Sequence, residues 1–227
     1  MKKLLLLLAI GATISASAQV KNEVGIVAGG NVHYSLENVN YTQYYGRLGY
    51  NVGFTNNLQF GKHSVFVAAM LETQNIKSTP ATLFEPWLSP SHVVNNNRQI
   101  SVPLLYRYTF GDKKLQPFVN GGPQFGFGFK RATTFYYDHD FFPQEPITYE
   151  KKDLQFNLSA ALGGGVKYNV NDRVSLSAEY RQSFLMYSKT RDKNMDNKTT
   201  VAIGDDDFVP YTSSYLLVGA AVKIGKK

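Results

Sequence analysis

Seven charged residues stand at alternate positions that otherwise hold small or neutral polar side chains. They are Glu72, Arg107, Lys130, Lys167, Glu179, Arg181 and Lys223. If these side chains share an enclosed space, they could form a polar pathway with a binding site, or a paired network that fills the space. A buried charge is costly unless it is paired, so the network is the favoured interpretation. Glu72 and Arg107, on consecutive predicted strands, are the first candidate pair.

The four histidines raise the alternative of a lipid-modifying enzyme with a serine, a histidine and an acid. His33 has the parity of the charged face, His63 borders a predicted turn, and His92 and His139 fall in long connections. A catalytic triad is recognised by its geometry in space, and no spacing of these histidines to a serine and a carboxylate in the sequence defines one. No catalytic residue is therefore predicted.

No cofactor or metal site is predicted either. The acidic positions 205–207, Asp138 and Asp140 do not match the register of a calcium-binding EF-hand loop. Glycines 163–165 lie within a predicted strand and not before a helix, so they do not form a phosphate-binding loop. The chain has no cysteine, which excludes disulfides, thiolate catalysis and cysteine-bound metals.

The charge of the chain is modest and dispersed. Its 227 residues include 24 Lys and Arg against 17 Asp and Glu, a formal net charge of +7. The basic residues form no continuous stripe, so no nucleic-acid partner is predicted. Charged residues make up 18% of the chain, whereas soluble domains average about 25%.

The first 18 residues have the pattern of a secretory signal peptide. Lys2 and Lys3 precede an apolar run at 4–10, and Ala16-Ser17-Ala18 fits a cleavage site. The apolar run is shorter than the roughly 20 residues that a spanning helix requires. Removal of residues 1–18 would take two lysines and lower the net charge from +7 to +5, and residues 19–227 are predicted to form one domain.

The rest of the chain alternates between apolar and small or polar residues in eight runs. The predicted strands are 23–34, 46–55, 63–76, 98–110, 115–130, 153–168, 173–187 and 213–224. Short connections at 55–62, 111–114 and 169–172 alternate with long ones at 35–45, 77–97, 131–152 and 188–212. Long strands with all short turns at one end are typical of a transmembrane β-barrel.

The composition of the two faces indicates which one meets lipid. Large apolar residues such as Val102, Leu104 and Phe125 alternate with small or neutral polar residues such as Gly126. A soluble lipocalin-like barrel would place charged residues on its outer face, and it is kept as the alternative, with a small apolar ligand inside. Glycine weakens a strand, so its frequent use on one face indicates that this face has little room for side chains. The interior of an eight-stranded barrel is such a crowded place. We therefore predict an all-β, eight-stranded, antiparallel, up-and-down transmembrane β-barrel with its apolar face outward.

Three stretches carry a family resemblance. SVPLLYRY (101–108), LQPFVNGGPQFGF (115–127) and VSLSAEYRQSF (174–184) resemble strands of the porin-like outer-membrane β-barrel family of Bacteroidota, which includes PorT-type proteins. The resemblance covers residues 24–224. It implies an eight-stranded barrel in the outer membrane without a shared catalytic constellation.

The long connections contain apolar clusters that could contact a partner. The candidate contact surface consists of Phe84, Trp87, Leu88, Phe141 and Phe142. Such clusters can anchor a partner protein, but they can also cap the barrel or enter the lipid interface. The predicted function is a non-enzymatic outer-membrane barrel with a closed polar lumen, which supports the envelope or secretion machinery or binds through its loops. Outer-membrane lipid is the neighbour that this prediction requires, and the oligomeric state stays open.

Overall fold

The computed structural model describes residues 20–35, 43–79, 90–137, 145–151, 154–191, 198–202 and 211–224. Within these ranges the chain consists of β-strands and the turns between them. No helix among the described residues is long and apolar enough to cross a membrane. The predicted signal peptide, residues 1–18, lies outside the described residues.

Ten strands follow one another along the described chain. They are β1 (Lys21–Ser35), β2 (Gln43–Phe60), β3 (His63–Thr79), β4 (His92–Thr109), β5 (Leu115–Tyr136), β6 (Ile147–Lys151), β7 (Leu154–Asn169), β8 (Val174–Arg191), β9 (Lys198–Ala202) and β10 (Tyr211–Ile224). Eight of them are long, from 14 residues in β10 to 22 in β5. The remaining two, β6 and β9, have five residues each.

The eight long strands form a closed antiparallel ring. Neighbours pair in the order β1, β2, β3, β4, β5, β7, β8 and β10, and β10 returns to β1 over the whole span from Asn22↔Ile224 to Ser35↔Tyr211. The short strands extend the ring at one end, where β6 pairs with the last residues of β5 and β9 with the last residues of β8. The predicted eight-stranded up-and-down barrel is confirmed.

The tight turns lie at the opposite end of the ring from β6 and β9. Gly61 and Gly111 have φ angles of +63° and +72°, which glycine adopts without the steric cost that other residues pay. In the turn before β8, the side-chain oxygen of Asn171 accepts hydrogen bonds from the backbone N–H groups of Arg173 and Val174, both at 2.8 Å. These local contacts join antiparallel neighbours without long connections.

The connection predicted at 55–62 is wrong. Strand β2 continues to Phe60, and only Gly61 and Lys62 separate it from β3. Asn57, within the predicted connection, is a buried lumen residue of the strand. Asparagine is uncommon in β-strands in general, but a strand that lines this lumen needs polar side chains on its inward face.

At the other end, the strands extend into regions predicted as long connections. Strand β4 begins at His92 and β5 ends at Tyr136, where the predicted limits were residues 98 and 130. These additional residues exceed the roughly 9 to 11 that a tilted strand needs to cross the hydrocarbon. Their outward side chains no longer have to be apolar, so the alternation that marks a membrane strand is absent there.

The ring has its apolar face outside and its polar face inside. Outward side chains such as Leu48, Phe54 and Leu216 have exposed fractions of 74%, 73% and 66%. Inward side chains such as Asn51 and Glu72 have exposed fractions of 2% and 0%. This distribution is the reverse of that in a soluble protein, and it suits a surface that faces acyl chains.

The outward face predicts a depth-dependent effect of charge. Phe54 lies near the middle of β2, and we expect Phe54→Arg to lower the free energy of unfolding by about 2–4 kcal/mol because its charge would sit in hydrocarbon. Leu48→Arg places the same charge nearer the long-connection end, where the expected loss is about 0–1 kcal/mol. Urea titration in liposomes, read from folded and unfolded gel bands of unheated samples, measures both. Equal losses would contradict the proposed position of the two residues in the bilayer.

Candidate functional site

The lumen near the tight turns contains a charge cluster that spans the barrel. Glu179 on β8 accepts a hydrogen bond of 2.8 Å from the Arg107 guanidinium on β4. Its other carboxylate oxygen accepts one of 2.7 Å from Nε of Arg181, two residues further along β8. Residues two apart in a strand share a face, which brings Glu179 and Arg181 together. All three side chains are buried.

Aromatic rings hold Arg107 in place. Its guanidinium carbon lies 3.9 Å from the ring centroid of Phe118 and 4.3 Å from that of Phe66. Such a position over the ring face is favourable for a cation, the more so when water is excluded. Gly165 makes room for this stack, because a Cβ at that position would come within 2.7 Å of the Phe118 ring and 2.2 Å of the Ala178 carbonyl oxygen.

A second ion pair crosses the lumen beside the first. The Lys167 ammonium on β7 donates to both carboxylate oxygens of Glu23 on β1, at 2.6 and 2.8 Å. Asn57 on β2 adds a hydrogen bond of 3.2 Å to the same carboxylate. The cavity among the side chains of this region has a volume of about 40 Å³. It is small compared with the roughly 300–1,000 Å³ of ligand-binding sites.

The buried charges of the described lumen balance. The cations are Arg107, Lys167 and Arg181, and the carboxylates are Glu23, Glu72 and Glu179. We call five of them, all except Glu72, the charge network. A balanced set is expected, because an unpaired charge in a region shielded from water carries a large free-energy penalty.

The predicted pair of Glu72 and Arg107 is wrong. In the register of β3 and β4, Glu72 lies opposite Gln99, and Arg107 lies opposite Ser64. Gln99 and Arg107 are eight residues apart on β4, which is roughly 26 Å at the rise of a strand. Consecutive strands do not bring two residues together unless their register also matches.

Glu72 instead belongs to a relay of close polar contacts at mid-height. His33 on β1 places Nε2 3.2 Å from the Glu72 carboxylate and Nδ1 2.5 Å from the Ser213 hydroxyl. The Tyr215 hydroxyl donates to Glu72 at 3.0 Å and accepts a hydrogen bond of 3.0 Å from Gln124. We call Ser213, His33, Glu72, Tyr215 and Gln124 the relay. All five side chains are buried.

Above the relay, toward the long connections, the lumen opens into a cavity of about 440 Å³. We call it the upper cavity. Its wall consists mainly of carboxamides and hydroxyls: Gln74, Asn95, Asn97, Gln99, Gln124, Gln155, Asn157, Ser159, Ser183, Ser188, Tyr211, Ser213 and Tyr215. The lumen is therefore filled by charges in one half and bears neutral polar groups around free space in the other.

Four residues of these clusters, Glu23, Gln124, Ser213 and Tyr215, were not singled out from the sequence, although their parity was available. Glu23 is separated from His33 by an even number of positions on β1, so the two share a face. Tyr215 has the same relation to Lys223 on β10. Tyr215 is buried, and its hydroxyl has partners inside the lumen in Glu72 and Gln124.

Lys130 does not face the lumen, contrary to the sequence-based assignment. A β-bulge interrupts the pairing of β4 with β5, so that Gly128 lies opposite Gln99 and Lys130 lies opposite Arg98. The extra residue reverses the parity beyond it. Lys130 pairs with Glu150 on β6 at 2.7 Å, where both side chains are partly exposed. Lys223 remains at the tight-turn end and donates to Asn169 at 3.0 Å.

The contact surface predicted in the long connections cannot be located. Phe84, Trp87, Leu88, Phe141 and Phe142 lie outside the described residues. Among the residues that are described, no three His, Asp or Glu side chains come close enough together to hold a metal ion.

Family comparison decides what kind of barrel this is. The model of the outer membrane protein beta-barrel domain family matches residues 4–204. The chain belongs to this family. Membership implies a location in the outer membrane, with the tight turns of the barrel in the periplasm and the long connections outside the cell.

One solved structure, of a protein from Thermus thermophilus, supports this barrel fold, and two others are reported for comparison. A major outer membrane protein from Thermus thermophilus is 14% identical, with a TM-score of 0.51 over 91% of this chain and 100% of that one. Neisserial surface protein A is 13% identical, with a TM-score of 0.48 over 89% and 97% of the two chains. Ail of Yersinia pestis is 13% identical, with a TM-score of 0.40 over 90% and 99%. None of the curated proteins matches the sequence significantly.

In an outer-membrane barrel, the arrangement of the lumen has a direct consequence. The charge network stands on the periplasmic side and the upper cavity on the extracellular side. A soluble lipocalin-like barrel that holds an apolar ligand is not favoured, because this lumen is polar and its outer surface is apolar.

The charge network predicts a large difference between a buried and an exposed carboxylate. We expect Glu179→Gln to lower the free energy of unfolding by about 3–5 kcal/mol, since it leaves Arg107 and Arg181 without their partner in a buried site. The matched change Glu150→Gln removes the carboxylate of the exposed pair with Lys130, and its expected cost is about 0–1 kcal/mol. Urea unfolding in liposomes measures both. A small loss for Glu179→Gln would contradict the assigned role of the network.

Proposed function

We propose that this protein is a non-conducting, non-enzymatic outer-membrane barrel that acts through its extracellular side or through contacts with other envelope components. The observation that carries the proposal is the charge network, whose paired side chains cross the periplasmic half of the lumen and border a cavity of only about 40 Å³. A solute that enters the upper cavity from outside meets this network as a floor. Transport is therefore not the function that the geometry favours.

Several finer features form part of the same proposal. The motifs at 101–108, 115–127 and 174–184 support membership of the porin-like, PorT-type group of Bacteroidota, and thus a Gram-negative source. Residues 1–18 have the composition of a signal peptide that directs export. The role would be support of the envelope or of secretion machinery, or binding by the long connections, with Phe84, Trp87, Leu88, Phe141 and Phe142 as contact residues.

The proposed closure predicts the behaviour of the exported protein, which we expect to begin at Gln19, in planar lipid bilayers. We expect no steady ion conductance from the wild-type barrel, because the paired side chains occupy its bore. In a triple variant with Arg107→Ser, Glu179→Ser and Arg181→Ser, we expect measurable conductance. Complete removal of the cluster leaves no unpaired charge among the three, so that the variant can still fold.

The triple variant also controls for the sensitivity of the bilayer measurement. Folding of both proteins is verified by the gel shift of unheated samples before conductance is recorded. Steady conductance of the wild-type protein would contradict the proposal. Equal silence of both proteins would show that the three side chains are not what closes the lumen, and would contradict the assigned role of the network.

The relay is the specific observation that favours a second function, that of a hydrolase. Ser213, His33 and Glu72 stand in the order of a nucleophile, a base and an acid. A serine hydrolase also stabilises an oxyanion, often with backbone N–H groups. Strand β10 pairs with β1 on one side and with β8 on the other, so the N–H groups beside Ser213 are used in the sheet. This supports the non-enzymatic proposal.

A fluorophosphonate probe separates the two functions. In a hydrolase, the Ser213 oxygen would attack phosphorus, fluoride would leave, and the serine proton would pass to His33. We expect no such adduct on the wild-type protein above the level of Ser213→Ala, as measured by mass spectrometry of the peptide that contains residue 213. An adduct at Ser213 that disappears in His33→Ala would overturn the non-enzymatic proposal.

A further inference from the structure

The upper cavity has the form of a blind pocket. It contains about 440 Å³ of space, within the range of roughly 300–1,000 Å³ that small-molecule sites occupy. The relay and the charge network close it from below. We propose that this cavity binds a neutral sugar that enters from the extracellular side. The inference rests on the proposed function, because a ligand is retained only if the lumen beneath it is closed.

The chemistry of the wall matches the hydroxyl groups of a sugar. Seven carboxamides line the cavity, together with the hydroxyls of four serines and two tyrosines. A carboxamide offers donors and an acceptor side by side, and a hydroxyl can serve as either. A sugar hydroxyl needs both roles at once, so walls of this kind can satisfy several hydroxyls without any formal charge.

Part of the wall is fixed in advance by hydrogen bonds among its own side chains. Asn157 donates to Gln99 at 3.3 Å and accepts from the Ser188 hydroxyl at 2.8 Å. Gln155 donates to the same serine oxygen at 3.2 Å. These bonds link β4, β7 and β8 across the wall. Side chains that already hold their positions lose less conformational entropy when a ligand binds.

The floor of the cavity offers an acceptor without a partner. The side-chain oxygen of Gln124 makes no hydrogen bond within the described structure, and Gln124 is 96% buried, with an exposed fraction of 4%. Its amide nitrogen is held by the Tyr215 hydroxyl at 3.0 Å, so the orientation of the carboxamide is fixed. This oxygen is enclosed, so a small movement of the side chain is needed before a ligand hydroxyl can donate to it and satisfy a buried acceptor.

Other ligand classes fit the wall less well. Among the described lining residues only Arg131 carries a permanent charge, so an anion would find one cation and no cluster. A peptide strand would need a free sheet edge and apolar side-chain pockets, but the ring is closed and the described aliphatic lining is Ile76 and Leu185. An apolar ligand would leave the carboxamides without partners. The neutral sugar remains as the class that uses what the wall provides.

Isothermal titration of the full-length folded barrel tests the inference. The detergent should be an amine oxide, because detergents with sugar headgroups would compete for the site. The probes are maltose, lactose and diacetylchitobiose, with sialyllactose as the carboxylated counterpart of lactose. We expect at least one neutral disaccharide to bind with a Kd of about 1 mM or tighter.

Two cavity variants and one control locate the site. Asn157→Leu removes a carboxamide from the centre of the wall. Ser159→Leu narrows the cavity at a serine for which no bond to the relay is seen among the described residues. We expect each variant to weaken sugar binding about tenfold or more. Asn120→Leu makes the same change at an inward asparagine of the periplasmic half and should leave binding unchanged. Gel shifts of unheated samples establish that each variant is folded.

The outcomes separate this inference from the proposed function. Absence of binding by all neutral probes, binding of sialyllactose alone, or equal binding by the Asn157→Leu, Ser159→Leu and wild-type proteins would overturn it. A non-conducting barrel that binds no sugar would refute the sugar site and leave the closed lumen intact. A conducting barrel would refute the closed lumen first.

Discussion

The hydrogen-bonding demand of the backbone in hydrocarbon determines the rest of this structure. In lipid no water is present to satisfy an N–H or C=O group, so the sheet must have no edge. The pairing of β10 with both β1 and β8 meets that demand. Closure with eight strands gives a bore that is only wide enough for side chains. The side chains of the inward face therefore lie close to one another across the lumen, and they have to be compatible with one another.

The two halves of the lumen meet this condition in different ways. In the periplasmic half, charges from strands on different sides of the barrel pair across the bore, and Phe66 and Phe118 support Arg107 between them. In the extracellular half, neutral carboxamides and hydroxyls, with short side chains such as Ser159 and Ser183 among them, surround free space. The same ring of strands therefore carries a packed floor and an open cavity.

Much of the fold could be predicted from the sequence because strand periodicity is local information. Alternation of side chains identified eight strands and their faces, and the polar face contained Arg107, Lys167, Glu179 and Arg181, which the structure buries. Strand ends were less accurate, since beyond the hydrocarbon the outward face need not be apolar. Parity also failed beyond the bulge near Lys130, because one additional residue reverses the faces and nothing in the local pattern marks it.

The sequence by itself determined the class of barrel, the side that meets lipid and most of the residues that face the lumen, because each follows from the spacing of residues along one strand. Only the tertiary structure decided which of those residues meet. The partner of Arg107 is Glu179, 72 positions away in the chain, and His33 meets Ser213 at a separation of 180. Such contacts depend on register and on closure of the ring, which are set by all strands together and by no single stretch of the chain.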